Sequence, residues 1–178
     1  MKISNLIKLL VLVLLLSSCS SRKNISSGKD KTKYTLKSKN NNLDDFANAL
    51  GVSKKDLENE KLYYYIDNWL GTPHKLGGSS KSGIDCSGFV KNVYSEVYKE
   101  NIPRTSRDMA DQVKTKKIKN LKEGDLVFFA FGGGKIDHVG IYLHNNKFVH
   151  VSTKRGVMIS DLEEIWYSKY FVKSGSLK

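Results

Sequence analysis

The sequence predicts an α+β domain over residues 43–178, with N-terminal helices packed on an antiparallel sheet of about four to five strands. Between residues 43 and 113, apolar side chains recur three and four positions apart, as they do along one face of a helix. Between residues 125 and 172, short segments rich in apolar residues are separated by turn residues, and the segments around His138 and His150 alternate apolar and polar side chains, which is typical of strands. A region of this length suits one compact domain with one core.

The first two predicted helices have recognisable ends. Leu43–Leu50 forms a short helix that stops at Gly51. Ser53 and Asp56 have the spacing of a capping box, which predicts that a longer helix begins there and ends before Gly71–Pro73. Its apolar stripe belongs to the core and consists of Leu62, Tyr65, Ile66 and Trp69.

A cysteine stands at the start of the next predicted helix. Cys86 follows the glycine- and serine-rich loop Gly77–Gly83, and apolar residues at helical spacing come after it: Val90, Val93, Tyr94 and Val97. The unpaired N–H groups and dipole of a helix start favour an anion, so they would lower the pKa of the thiol. Backbone N–H groups, including that of Cys86, could also bind an oxyanion. This pattern indicates a nucleophile; the alternative is a small residue packed in the core.

Two histidines lie on the arms of a predicted β-hairpin. His138 and His150 each stand in an alternating segment, with Asn145-Asn146 as turn residues between them. A two-residue loop would send the two side chains to opposite faces of the sheet. A loop with an odd count, for instance His144–Asn146 with an asparagine in the left-handed region, places both on one face. We predict the odd loop or a bulge, which would pair a base with a group that orients it. Either histidine alone could instead be a hydrogen-bonded structural residue.

The other elements follow in order along the chain. Thr105 and Asp108 can cap a short helix that runs to about Val113. Further segments are a solvated basic loop at 114–119, a strand at 125–130, a glycine-rich link at 131–135, strands at 157–159 and 170–172, and a helical turn near 162–167.

Several short blocks occur in a fixed order between Tyr63 and Tyr170. They are Leu76-Gly77-Gly78, Gly83-Ile84-Asp85-Cys86-Ser87-Gly88-Phe89-Val90, Pro103-Arg104-Thr105-Ser106, Gly124-Asp125-Leu126-Val127-Phe128-Phe129, His138-Val139-Gly140-Ile141-Tyr142 and Phe148-Val149-His150-Val151-Ser152. This series resembles the NlpC-type cysteine peptidases of the bacterial cell wall, and most closely their Spr-like (MepS-like) murein endopeptidase branch of lipoproteins. The resemblance implies a papain-like fold with Cys86 as nucleophile, His138 as general base and acid, and His150 as the residue that orients His138.

The resemblance extends to three residues around the nucleophile. Relatives usually carry a tyrosine where this chain has His74, and its hydroxyl is associated with the oxyanion site. A neutral imidazole can also donate a hydrogen bond, so His74 can take that role or be a structural turn residue. Asp85 and Ser87 flank the nucleophile and are expected to contact a free amine or carboxylate of the substrate.

Residues 1–18 resemble a lipoprotein signal peptide. Lys2 and Lys8 precede the apolar run Leu9–Leu16, which is far shorter than the roughly 20 residues of a membrane-spanning helix. The small residues before Cys19 predict cleavage there and a diacylglycerol on its sulfur; an ordinary secretory signal is the alternative. Because Ser20 rather than an aspartate follows, we expect anchoring in the outer membrane, facing the periplasm, if the envelope has two membranes.

Residues 19–42 are predicted to be a disordered tether. They carry seven basic residues and one acidic residue but few large apolar ones, so burial cannot offset the entropy of ordering them. The formal net charge of +12 therefore lies largely outside residues 43–178, which retain +4. Nucleic acid is not an expected partner. A spacer with weak attraction to anionic lipids or wall polymers fits better.

The number of cysteines indicates whether Cys86 can form a disulfide bond. The chain has two cysteines, so lipidation of Cys19 would leave Cys86 without an intramolecular partner. An unpaired thiol in an exported protein favours a chemical role over packing. No cofactor or metal is expected, because ligand spacings such as C-x-x-C or H-E-x-x-H are absent from the sequence.

The resemblance implies a monomeric peptidoglycan endopeptidase. Its substrate bond would be either the D-Ala–diaminopimelate cross-link or the γ-D-Glu–diamino acid bond within a stem peptide. The alternative is a lipid-anchored peptidoglycan-binding module that has kept the fold and lost activity.

Overall fold

The structure is a computed structural model that describes residues 43–177. The predicted signal peptide, the lipidation of Cys19 and the basic tether fall on residues 1–42, outside the described residues. Among residues 43–177, no helix combines the length and apolar character needed to cross a membrane.

The described chain contains five α-helices and eight strands. The helices are α1 (Leu43–Leu50), α2 (Glu60–Trp69), α3 (Cys86–Val93), α4 (Ser106–Gln112) and α5 (Ile165–Tyr170). The strands are β1 (Ser79–Ser80), β2 (Gly83–Ile84), β3 (Val113–Thr115), β4 (Leu126–Phe129), β5 (His138–Tyr142), β6 (Lys147–Ser152), β7 (Gly156–Asp161) and β8 (Phe171–Leu177). Two 3₁₀ turns, Lys54–Asp56 and Ile118–Asn120, and one π-helical turn, Tyr94–Tyr98, complete the set.

The main sheet has six strands in the order β3-β8-β4-β5-β6-β7, and its neighbours pair antiparallel. The sequence predicts four or five strands, and the extra one is β3. It spans the predicted end of the short helix at Val113, which is buried, and the first two residues of the basic segment predicted to be a solvated loop, Lys114 and Thr115, which are exposed. A three-residue edge strand is too short for its alternation to be visible in the sequence. The Gly77–Gly83 loop similarly contains part of the small hairpin formed by β1 and β2.

The start of α2 differs from the prediction. Asp56 accepts hydrogen bonds from the N–H and hydroxyl of Ser53, but this capping box opens a 3₁₀ turn. The α-helix begins at Glu60, where the side chain of Glu123 accepts from the N–H of Asn59 at 2.8 Å. Glu123 also binds the Tyr63 hydroxyl and lies 3.2 Å from His144. The cap thus comes from a residue distant in sequence, which no local pattern can reveal.

Both faces of the main sheet are buried at its central strand β4. Helices α1 to α4 contribute to the larger core, which includes Leu126 and Phe128 of β4. The alternate residues Val127 and Phe129 join a second cluster on the opposite face, together with Tyr167 of α5. This double burial explains why β4 reads as a continuous apolar run.

The hairpin of β5 and β6 has the predicted register. Ile141 pairs with Val149 and Tyr142 with Phe148, which leaves a three-residue loop at 144–146. Asn145 and Asn146 have φ values of 47° and 61°, so both adopt the left-handed conformation. The odd loop is therefore confirmed, and the two histidines share a face.

The turn of this hairpin also contacts α1. The Asn145 amide donates to the carbonyl oxygens of Leu50 and Gly51, each at 3.0 Å. These bonds satisfy backbone groups at the C-terminal end of α1.

Candidate active site

Cys86 is the first residue of α3, as predicted, and Asp85 caps that helix. The Asp85 carboxylate accepts from the N–H of Gly88 at 2.6 Å and from the N–H of Gly77 at 2.8 Å. Gly88 has to be small, because an added Cβ would lie 2.6 Å from the carbonyl oxygen of Gly78. The cap and this close approach fix the helix start against the preceding loop.

Arg104 completes the support of the helix start. Its guanidinium donates to both carboxylate oxygens of Asp85, at 2.9 and 2.8 Å, and to the Ser87 hydroxyl at 2.8 Å. Burial raises the pKa of Asp85, but Arg104 and the N–H groups of Gly88 and Gly77 more than offset this, so its pKa lies below the ordinary value. Sequence reasoning quoted Arg104 within a block but gave it no role.

Asp85 and Ser87 are buried, and both are bonded to Arg104. Their expected contact with substrate stays a prediction. In the structure, Asp85 and Ser87 stabilise the start of the helix that carries Cys86, through the cap on Gly88 and the bonds to Arg104.

The thiol of Cys86 lies beside the start of β5. Its Sγ is 4.0 Å from the carbonyl oxygen of Asp137, the residue before His138. Burial raises the pKa of the thiol to about 11, although N–H groups such as that of Val139 oppose the rise. The sequence-based expectation of a lowered pKa is therefore wrong, because loss of water around the thiolate outweighs the helix terminus.

His138 and His150 are in direct contact. The Nε2 atom of His138 lies 2.9 Å from Nδ1 of His150, and the two rings meet edge to face with centroids 5.0 Å apart. Burial lowers the pKa of His138 to about 4, with Asp137 opposing the shift and His74 adding to it. Burial and the charges of His138 and Arg155 hold the pKa of His150 well below its usual range. Both imidazoles are therefore neutral near pH 7.

Aromatic rings exclude water from one side of His138. Its ring centroid lies 5.1 Å from that of Phe131 and 5.9 Å from that of Phe129. Phe131 in turn stacks on Trp166, whose side chain is 56% exposed. The Asp137 carboxylate accepts from the N–H of Phe131 at 2.9 Å and so fixes the start of the glycine-rich link. The rings of Phe129 and Phe131 contribute to the burial that lowers the pKa of His138, and neither ring was given a role from the sequence alone.

The far side of His150 meets two hydroxyl groups. Its Nε2 atom lies 3.0 Å from the hydroxyl of Tyr167 and 3.2 Å from that of Ser160. Sequence reasoning missed both residues, because β7 and α5 read only as structural segments.

His74 lies next to the strand that leads into the nucleophile helix. The N–H of Ile84 donates to the carbonyl of Pro73, and the N–H of Lys75 donates to the carbonyl of Ile84, each at 3.0 Å. His74 is also close enough to His138 to lower the pKa of that ring. This location is compatible with the oxyanion role, which stays a prediction.

Within residues 43–177, no group of three or more His, Cys, Asp or Glu side chains could hold a metal ion.

The raised pKa of Cys86 predicts a low reactivity toward alkylating reagents near neutral pH. We expect Cys86 to react with iodoacetamide at pH 7 about 100-fold more slowly than a thiol of pKa 9.0, because its own pKa is about 11 and only the thiolate reacts. The rate should rise roughly tenfold per pH unit between pH 7 and 10. Mass spectrometry of labelled protein gives these rates.

The same protein in urea provides the control, since unfolding removes the burial and should restore ordinary labelling. Fast labelling at a rate that is constant between pH 6 and 8 would contradict the raised pKa. It would instead indicate that Cys86 is already a thiolate near pH 7.

A thiol at a helix start that approaches the beginning of a strand, where that strand carries a histidine paired with a second histidine, is an arrangement typical of a papain-like cysteine peptidase. The sequence model of the NlpC/P60 family matches residues 71–176, and the chain belongs to that family of cysteine peptidases. The prediction of family and of a papain-like α+β fold is confirmed.

Known proteins agree with this assignment. The murein DD-endopeptidase MepS/murein LD-carboxypeptidase of Escherichia coli K12 is 36% identical over 167 residues, covering 91% of this chain and 86% of the relative. The probable endopeptidase NlpC of the same organism is 40% identical over 107 residues, covering 60% of this chain and 70% of the relative. A crystal structure of an NlpC/P60 family protein from Bacillus cereus superposes with a TM-score of 0.61 at 29% identity, covering 65% of this chain and 39% of the other.

Proposed function

We propose that this protein is a peptidoglycan endopeptidase that uses Cys86 to hydrolyse an amide bond in cell-wall peptides. The observation that carries the proposal is the 2.9 Å contact between Nε2 of His138 and Nδ1 of His150, made where Cys86 approaches the start of β5. A buried imidazole held at one nitrogen is fixed in orientation at the other. The relatives named as murein endopeptidases supply the substrate class.

The two nitrogens of His138 are proposed to have different tasks. Because Nε2 faces His150, Nδ1 is the nitrogen that serves Cys86. With a thiol of raised pKa and an imidazole of lowered pKa, the resting pair is a neutral thiol and a neutral ring rather than an ion pair. His138 therefore acts as a general base at the moment of attack.

The reaction then proceeds in two halves. The Cys86 sulfur attacks the amide carbonyl while its proton passes to Nδ1 of His138, and the backbone N–H of Cys86, with the ring of His74, binds the oxyanion. His138 gives that proton to the leaving amine, which departs and leaves a thioester on Cys86. A water molecule, deprotonated by His138, hydrolyses the thioester, releasing a carboxylic acid and restoring the thiol.

Asp85 and Ser87 are proposed to contact the substrate next to the scissile bond. The N–H groups of Gly88, Gly77 and Arg104 already occupy about four acceptor positions of the Asp85 carboxylate, so a substrate amine would have to replace one of these bonds.

Two wall bonds are candidates for cleavage. The D-Ala–diaminopimelate cross-link is favoured over the γ-D-Glu–diamino acid bond, because the Escherichia coli relative that covers most of this chain is named a DD-endopeptidase. The substitution of His74 for the usual tyrosine is the feature that keeps a binding module of low activity as the second candidate.

Digestion of purified peptidoglycan and defined muropeptides tests the function. Protein lacking residues 1–19 is compared with its Cys86→Ala variant, and the products are identified by mass spectrometry. We expect cross-linked dimers to become monomers only when Cys86 is present. Stems trimmed after glutamate would assign the other bond. No product that depends on Cys86 would overturn the enzyme proposal and favour the binding module.

The cellular location belongs to the same proposal. A lipid on Cys19 would anchor the protein in the cell envelope, in the outer membrane facing the periplasm where two membranes exist, and residues 19–42 would let the catalytic domain of residues 43–178 reach the wall as a monomer. Support comes from the sequence of residues 1–42 alone.

A further inference from the structure

Three polar atoms meet in the buried space behind His150. Its Nε2 atom lies 3.0 Å from the Tyr167 hydroxyl and 3.2 Å from the Ser160 hydroxyl, and those two oxygens are 3.3 Å apart. All three residues are buried. The hydrogen bonds from His138 through His150 therefore continue to Tyr167 and Ser160, and the Arg155 side chain also bonds to the Tyr167 hydroxyl.

A neutral His150 can hold its single proton on either ring nitrogen. If Nε2 carries it, Nδ1 accepts from Nε2–H of His138, and the lone pair of His138 on Nδ1 is free for the thiol. If Nδ1 of His150 carries the proton, it donates to His138 instead. His138 must then carry its own proton on Nδ1 and cannot act as a base toward Cys86. Since the buried ring is neutral, this choice decides whether the site works.

We propose that the Tyr167 hydroxyl is a positioning group for the reaction, because it accepts the Nε2–H of His150 and so keeps His138 in the tautomer that can take the thiol proton. This inference rests on the proposed role of His138 as base. It adds Tyr167 to the polar residues on which turnover is proposed to depend.

Packing favours Tyr167 over Ser160 as the acceptor. Its ring is held edge to face against His150 and Phe148, with centroids 5.2 and 5.0 Å apart. The phenol oxygen is therefore fixed within 3.0 Å of Nε2. The Ser160 hydroxyl is more distant from Nε2, at 3.2 Å, and it donates its own proton to the Tyr167 hydroxyl at 3.3 Å.

The tautomer can be observed directly. In protein labelled with ¹⁵N at histidine, a protonated and an unprotonated ring nitrogen have distinct chemical shifts, and His150→Gln identifies which signals belong to His150. We expect the proton of His150 on Nε2 in the natural protein and a mixture of both tautomers in Tyr167→Phe. A proton on Nδ1 in the natural protein would overturn the proposal, even if the enzyme is active on wall peptides.

Kinetics provides a second readout. Tyr167→Phe keeps the ring but removes the acceptor, so kcat should fall about tenfold with KM unchanged. Tyr142→Phe is the matched control, since Tyr142 is a buried tyrosine of the same cluster whose hydroxyl instead accepts from the N–H of Asn146. Ser160→Ala should stay within about twofold of the natural kcat.

Each other result counts against the proposal. A fall in kcat for Tyr167→Phe without a change in the ¹⁵N signals of His150 would indicate a structural role only. A larger loss in Ser160→Ala than in Tyr167→Phe would assign the acceptor to Ser160. If Tyr167→Phe does not fold, the signals of the natural protein still decide between the two tautomers.

Discussion

Replacing His138 with glutamine is expected to lower kcat/KM for a cross-linked muropeptide at least about 1,000-fold, a size in line with the loss of a general acid–base group. His138 is proposed to act at three points, in activating the thiol, protonating the amine and activating water. The raised pKa of Cys86 makes this dependence stronger, because few thiolates exist near pH 7 without a base. Steady-state kinetics with product detection by chromatography measures the effect.

His144→Gln is the matched control for this variant. His144 lies in the turn of the same hairpin, where it contacts Glu123 instead of a catalytic group. Its kcat/KM should stay within about twofold. If His138→Gln loses less than tenfold while remaining folded, His138 is not the base.

Replacing Asp85 with alanine is expected to lower the free energy of unfolding by about 3 kcal/mol at pH 7. The change removes the helix cap of Gly88, the bond to Gly77 and the ion pair with Arg104, whose side chain is 40% exposed and can regain some hydration. Urea unfolding followed by circular dichroism measures the difference.

The pH dependence of this loss has a definite sign. Because the pKa of Asp85 is lower in the folded protein, its stabilising effect is complete above the ordinary pKa of 3.8 and disappears as pH falls through the lower folded value. The difference between natural protein and Asp85→Ala should therefore shrink in acid. Asp108→Ala, which alters an exposed cap partner of Thr105 in α4, should cost about 1 kcal/mol or less. Equal losses for the two variants would contradict the special role of Asp85.

The hairpin that carries the histidines could be predicted because its determinants are local. Asn145 and Asn146 tolerate positive φ, and the period of two in a strand converts loop length into the face on which His138 and His150 lie. The position of Cys86 at a helix start was equally readable, since the loop and the apolar spacing adjoin it.

Properties that depend on distant residues could not be predicted in this way. The pKa of Cys86 is set by burial under the folded domain, and burial reversed the direction expected from the helix terminus. Tyr167 and Ser160 reach His150 only through the pairing of β6 with β7 and the packing of α5. Likewise β3 exists because it pairs with β8, the last strand of the chain.

The contacts of the hairpin turn define where the working unit of this protein begins. Asn145 binds the end of α1, and Glu123 joins His144 to the start of α2. The family model matches from residue 71, after both helices, so it does not by itself include them. A fragment that begins there would lack the helices that bind the turn of the hairpin carrying His138 and His150. The first two helices therefore support the hairpin that carries His138 and His150, and an expression fragment should include them.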